Sequence, residues 1–236
     1  MQRGCIVKLT GIAARADGTL EKVDFAWQYC VAIGFAGRDQ ASVIAHVEEL
    51  KAIGVPAPET VPSMYWIDPT RISASTELQV VGNGCSGEVE FFAAFDAAGK
   101  MYFTIASDHT DRRLETVSVS KAKQACSKII GNLFWCYDDV KDHWDSILLR
   151  SWITEPGQAE RIYQDASLAR ILAPEELIRL AREDLKGKGT FAFFSGTIPL
   201  AGKIAYQGSF RMELSDPALK RAIQHKYDVI ELPDRN

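Results

Sequence analysis

The stretch that most constrains this chain runs from Gly87 to Arg112. Gly87-Glu88-Val89-Glu90-Phe91-Phe92-Ala93-Ala94-Phe95 leads into a turn at 96–100, then into Met101-Tyr102-Phe103-Thr104-Ile105-Ala106-Ser107-Asp108. Two runs rich in aromatic and β-branched residues, joined by a short Asp- and Gly-containing turn, predict a β-hairpin. Alternate side chains of a strand share a face, so Glu88 and Glu90 stand side by side while Val89 and Phe91 pack behind them. Their Cα atoms are then about 6.5–7 Å apart. Carboxylates held so close repel unless something positive lies between them, and a hard divalent cation on oxygen ligands is the usual answer. The returning strand brings Asp108 back to the same end, where it offers a third ligand. An edge strand with its glutamates in water carries the same Glu-x-Glu pattern. The large apolar residues on both arms are poor composition for such a solvated ribbon.

A length of 236 residues suits one large domain, or a domain with a small N-terminal addition. The net charge of −4, without any Lys/Arg run, excludes a nucleic-acid partner. Five cysteines, odd in number and with no C-x-x-C pair, read as reduced and mostly buried. The N-terminal apolar run is too short for a signal peptide and no stretch approaches membrane-spanning length, so no membrane partner and a cytoplasmic location are expected.

Residues 4–35 alternate strand-like runs with a turn at Ala16-Asp17-Gly18-Thr19 and predict a small N-terminal sheet. After Gly34 and Gly37 a helix follows from Gln40 to Ala52 with Val43, Ile44, Val47 and Leu50 on its apolar side. His46 and Glu49 are three apart on it, so the carboxylate can hold the imidazole in one tautomer, the wiring of a general base; a surface His beside a surface Glu has the same spacing. Tyr65 and Trp66 are pocket or core aromatics, and Lys121 and Lys123 are in reach of a substrate carboxylate or simply begin a helix. The segment 129–152 has helical apolar spacing, with Asp138, Asp139, Asp142 and Asp145 as its solvated side. A helix from Pro174, a buried strand Phe191–Phe194 opening into Ser195-Gly196-Thr197, and two closing strands complete an α+β, strand-dominated chain.

Five pieces in order then resemble the fumarylacetoacetate hydrolase superfamily, specifically an uncharacterised bacterial branch. They are Gly37-Arg38-Asp39 followed by His46-Val47-Glu48-Glu49; Glu88-Val89-Glu90; Asp108-His109-Thr110-Asp111; Tyr163-Gln164-Asp165-Ala166-Ser167 ahead of Pro174-Glu175-Glu176; and Phe194-Ser195-Gly196-Thr197. The resemblance implies a mixed β-roll over residues 36–236, with residues 1–35 as an N-terminal β extension. It implies magnesium or manganese on Glu88, Glu90 and Asp108, a His46–Glu49 dyad on a lid-like helix, and Lys121 as the lysine that meets the substrate. Substrate contacts are expected from Arg38, Asp111, Gln164 and Thr197. The chain departs from the superfamily where Gly-Thr-Pro-x-Gly reads Gly196-Thr197-Ile198-Pro199-Leu200. Members cleave or rearrange β-diketo and 2-oxo acids through an enolate and are usually dimers. A homodimeric hydrolase cleaving a C–C bond in an acylpyruvate-like acid is therefore expected, with His46 activating water and Lys121 stabilising the oxyanion. A decarboxylase or isomerase on the same site, and a non-catalytic small-molecule binding protein, are the alternatives.

Overall fold

The computed structural model describes residues 5–52, 54, 56–206 and 208–235, with His46 described by its backbone alone. The chain begins with β1 (Val7–Ala14), β2 (Leu20–Trp27), β3 (Tyr29–Gly34), helix α1 (Gln40–Ala52), β4 (Ser63–Ile67), β5 (Ile72–Ser73) and β6 (Glu77–Val81). Next, β7 (Cys85–Ser86) leads into the hairpin of β8 (Val89–Phe95) and β9 (Met101–Ser107), and β10 (Thr110–Asp111) pairs back on β7. Two short helices, α2 (Arg112–Glu115) and α3 (Val119–Ala125), precede β11 (Lys128–Ile130) and β12 (Leu133–Cys136). The remainder supplies β13 (Leu148–Thr154), β14 (Arg161–Ser167), α4 (Pro174–Asp184), β15 (Phe191–Phe194), β16 (Ser209–Asp216) and β17 (Arg221–Leu232).

These strands make two main sheets. The larger has the order β2-β1-β12-β9-β8-β15-β3-β4, with β11 and β5 beside it; the smaller runs β14-β13-β16-β17-β6. The acid-bearing hairpin thus lies in the middle of the larger sheet, buried on both faces, which explains its near-continuous apolar run. Val89, Phe91 and Ala93 face a core shared with the smaller sheet, against Phe103, Trp144, Leu149 and Met212. The Phe91 ring meets Phe103, Trp144 and Phe193 edge-on. Phe92 and Ala94 face the other way, into a second core with Phe25, Trp27, Tyr102, Phe134 and Phe194, where the sheet curls so that β2 crosses β8. A strand-rich mixed fold with a curled sheet results.

The first three strands are hydrogen-bonded into this same sheet. β1 runs parallel to β12 and β3 parallel to β15, so no break in the sheet marks the boundary expected at 35/36. The helix expected over 129–152 is absent: the segment makes β11, β12, two short 3-10 turns and β13. Gly131-Asn132 interrupts it, and β13 alternates Leu149, Ser151 and Ile153 inward with Leu148, Arg150 and Trp152 outward, the period of a strand. Helix α1 has the expected bounds. Val43 is buried, Val47 and Leu50 are half-buried and Ile44 is exposed, so the helix rests on the body along a narrow edge.

Candidate metal centre

The pairing of β8 with β9 sets the site. Glu90 lies opposite Ala106, and the Asp108 N–H donates to the Glu88 carbonyl at 3.0 Å, which returns the aspartate to the two glutamates. Each of the three side chains offers a carboxylate oxygen within 4.8 Å of the other two. Asp108 and Glu90 are buried and Glu88 is half-buried. The Gly196 N–H donates to Glu90 Oε2 at 2.8 Å. Gly196 has φ +82°, and a Cβ there would sit 2.7 Å from the Ile33 carbonyl oxygen and 3.0 Å from the Ala36 Cβ, so glycine is required for the backbone to reach the carboxylate. Its neighbours follow β8 in step: the Ser195 Oγ accepts the Phe91 N–H, and the Thr197 hydroxyl donates to the Val89 carbonyl.

Three cations surround the acids. Lys128, fully buried at the start of β11, places Nζ 2.6 Å from Asp108 Oδ1 and also donates to the His109 carbonyl. Lys123, buried on α3, is bonded to the other Asp108 oxygen, lies 3.8 Å from Glu88 Oε2 and sits over the Tyr65 ring at 5.8 Å. Arg112 spans Ser86 Oγ at 2.6 Å, Glu115 at 2.9 Å and Glu88 at 2.9 Å. Burial alone would raise the Asp108 carboxyl, but Lys123 and Lys128 outweigh it and hold the group well below the usual range. Burial would likewise lower the Lys123 ammonium, and Asp108, Glu88 and Glu90 reverse that, so it stays charged. Glu90 goes the other way: burial first, then the charge of Asp108, push it well above an ordinary carboxylate.

Lys121, the lysine expected to reach the substrate, is exposed on α3; its N–H is the one that the Ser118 cap accepts. The segment is helical, so 121 and 123 point apart, and it is Lys123 that turns inward. Lys128 and Arg112 escaped the sequence reading. Their signals were a lysine opening the apolar run Lys128-Ile129-Ile130 and an arginine four residues after Asp108.

The expected substrate contacts have internal partners. Asp111 is the N-cap of α2, accepting the N–H groups of Arg113 and Leu114 at 3.0 Å. Gln164, fully buried, accepts the Val89 N–H at 2.9 Å and the Ser151 hydroxyl at 3.0 Å, and donates to Thr197 Oγ1 and the Ile198 carbonyl at 2.7 Å each. Gln164 and Thr197 therefore grip the residue between the two glutamates. Arg38 makes a two-pronged pair with Asp145 and donates to the Ile171 carbonyl, on the wall of a separate cleft lined by Tyr137, His143 and Trp144. Glu49 is on the exposed side of α1, and the side chain of His46, with the His46–Glu49 contact, lies outside the described residues. His109 is buried with Nδ1 3.0 Å from the Tyr227 hydroxyl, which also meets Ser107. Burial, then Lys128 and Arg112, press its imidazole down to about 3, so it is neutral at pH 7.

The donor set is all oxygen, three carboxylates deep in one wall, which fits magnesium or manganese and not a soft thiophilic ion. Among the described residues no helix is long and apolar enough to cross a membrane.

Cg1458 shares the fold with a TM-score of 0.63 at 15% identity, over 96% of this chain and 100% of that one. 2-Keto-3-deoxy-D-arabinonate dehydratase, complexed with magnesium and 2,5-dioxopentanoate, matches with a TM-score of 0.61 at 15% identity over 88% of this chain and 74% of that one. 4-Oxalocrotonate decarboxylase from Pseudomonas putida G7, complexed with magnesium and adipate, matches with a TM-score of 0.54 at 12% identity over 85% of this chain and 77% of that one. At such identities the likeness is one of fold. No curated protein matches the sequence. Residues 33–227 match the family described as "Protein of unknown function (DUF2848)", and the chain belongs to that family.

Proposed function

We propose that this chain is a magnesium- or manganese-dependent enzyme of the fumarylacetoacetate hydrolase superfamily that converts a small 2-oxo acid through an enolate, as a dehydratase or decarboxylase. The observation that carries the reading is the buried cage of Glu88, Glu90 and Asp108 with Lys123, Lys128 and Arg112 around it. Two proteins of the same fold, a dehydratase and a decarboxylase, have been seen with magnesium and a small acid, which supports it.

When bound, the divalent ion would be held by Glu88, Glu90 and Asp108 and would supply a Lewis acid with open positions for the carboxylate and keto oxygens of the substrate. Lys128 fixes Asp108 from behind, since both its contacts are internal. Arg112 does the same for Glu88 through Ser86 and Glu115. Lys123 is the remaining cation, set between Glu88 and Asp108 beside Tyr65, and it places positive charge where substrate carboxylate and enolate oxygen develop. Loss of carbon dioxide leaves such an enolate behind, loss of water proceeds from one, and neither needs an attacking water. The second reading, hydrolytic C–C cleavage, is favoured by the His46–Glu49 spacing on α1, with His46 taking a proton from water.

The test is an NMR screen of 2-oxo acids, including 3-deoxy sugar acids, unsaturated dicarboxylic acids and acylpyruvates, with magnesium and then with EDTA. Turnover that EDTA removes and Glu90→Gln abolishes is expected, and the products separate lyase from hydrolase. Tight 2-oxo acid binding with no product across the panel would make the chain a binding protein; no manganese binding at the cluster would sink the site itself.

A further inference from the structure

Two buried thiols take no part in this chemistry, and they touch. The Sγ atoms of Cys85 and Cys126 are 3.4 Å apart, with the residues 2% and 3% exposed and 41 positions apart in the chain. Their places in the fold give the contact a consequence. Cys85 lies on β7 opposite Asp111, one residue before the Ser86 hydroxyl that holds Arg112 and three before Glu88. Cys126 is the C-cap of α3, between Lys123 and Lys128, the two lysines on Asp108. The sulfur contact therefore joins the segment that carries the acids to the segment that carries the lysines. Closing it into a bond requires the sulfurs to approach to about 2.05 Å, a movement of little more than an ångström.

We propose that Cys85 and Cys126 are a redox-modification site: hydrogen peroxide converts the pair to a disulfide that draws the lysine-bearing segment onto the acid-bearing strand and weakens divalent-metal binding. In the first step the Cys126 sulfur attacks one peroxide oxygen, the O–O bond breaks, hydroxide leaves and a sulfenic acid remains. The Cys85 sulfur then displaces hydroxide from that sulfenic sulfur, forming the S–S bond. The two thiol protons and the two hydroxides make two waters, and the two electrons lost by the dithiol are those gained by the peroxide. The order of attack follows from the local electrostatics: the hydrogen bond shared with Cys85, against burial and aided by Lys128, pulls the Cys126 thiol down, while the same bond pushes Cys85 up. Of the other thiols, Cys30 and Cys136 are buried and Cys5 is exposed.

The thiol chemistry stands independently of the proposed function; its effect on the ion rests on it. The full chain is treated with a few equivalents of hydrogen peroxide, then denatured and alkylated. The expected result is a loss of two hydrogen masses, two fewer alkylatable thiols, a peptide linked between Cys85 and Cys126, and reversal by dithiothreitol. Cys85→Ser and, separately, Cys85→Ala should instead gain oxygen on Cys126 without cross-linking. Five thiols still alkylated after treatment, or a link elsewhere, overturns the pair. Calorimetric titration with manganese should show binding at least fivefold weaker in the oxidised protein. Equal affinity in both forms overturns the coupling, and a disulfide with no manganese binding in either form overturns the coupling and the metal reading together while leaving the pair intact.

Discussion

Replacing Lys123 with methionine separates its two roles, counter-ion to the acids and rival of the metal. The methionine keeps an apolar stem against Tyr65 and removes the charge. Removing one partner of a buried ion pair costs about 3–5 kcal/mol, because the other charge is stranded. Here Asp108 keeps Lys128 at 2.6 Å and Glu88 keeps Arg112 at 2.9 Å, so the low end applies, about 3 kcal/mol for the metal-free protein. For a domain of this size that is a melting temperature lower by about 6–12 °C. With a divalent ion on the carboxylates the sign reverses. An ammonium about 5 Å from a dication is repelled by about 7 kcal/mol at an effective dielectric of 20. Lysine side chains relax away from much of that, so manganese should bind Lys123→Met at least about tenfold tighter, or ~1.4 kcal/mol. The assay is thermal melting in EDTA and in manganese, with calorimetry for the affinity and Lys121→Met as the exposed control that moves neither. Manganese binding that is unchanged or weaker in Lys123→Met refutes the reasoning and makes the lysine part of the metal site's support.

Gln164→Leu should leave the Val89 N–H without its acceptor and take from the Thr197 oxygen the donor it accepts, costing about 2–4 kcal/mol and lowering manganese affinity, measured by denaturant melts and titration; an unchanged affinity would separate the clamp from the site. Glu90 binds its proton more tightly folded than unfolded, so its contribution to metal-free stability is present below its unfolded value near 4.5 and is lost as pH rises through the folded one. Manganese must displace that proton, so affinity should rise with pH until Glu90 is ionised; calorimetry in buffers of different ionisation enthalpy would show proton release, and none would contradict the shift. His109 is depressed from 6.5 to about 3, so its contribution is full above 6.5 and lost as pH falls from there toward 3. His109→Gln should flatten the acid limb of the stability curve in that window, and an identical limb would place the acid sensitivity elsewhere.

The hairpin was legible because two independent patterns, apolar residues on both faces and acids at one end, agreed on one register. Period two paired Glu88 with Glu90, the returning strand brought Asp108 to them, and the resemblance supplied the ion. The lysines were not legible in the same way: which of Lys121, Lys123 and Lys128 points inward depends on whether the backbone between them is coil, helix or strand, and it is all three in turn. The segment 129–152 misled for a related reason. Ile130, Leu133, Phe134, Val140, Trp144 and Ile147 have helical spacing, but they come from two strands and the 3-10 turns that follow, with Ile130 and Phe134 in one core and Val140, Trp144 and Ile147 in the other. Asp139 and Asp145 passed for a solvated face because their partners, Arg15 and Arg38, lie more than a hundred residues away. Gln164 matched a substrate contact by order of motifs, and only the packing of the two sheets reveals that its four hydrogen bonds are spent inside the protein.

That packing makes the carboxylate cage a gauge of how the halves of the molecule are seated. Gln164 belongs to β14 of the smaller sheet, yet it holds the backbone of Val89 in the larger one, between Glu88 and Glu90. A sliding of one layer over the other by even a fraction of a hydrogen-bond length would spread the glutamates before any strand came apart. Ion capture and the cohesion of the whole chain should therefore vanish in a single step on heating, leaving no warm, folded form that has merely dropped its ion.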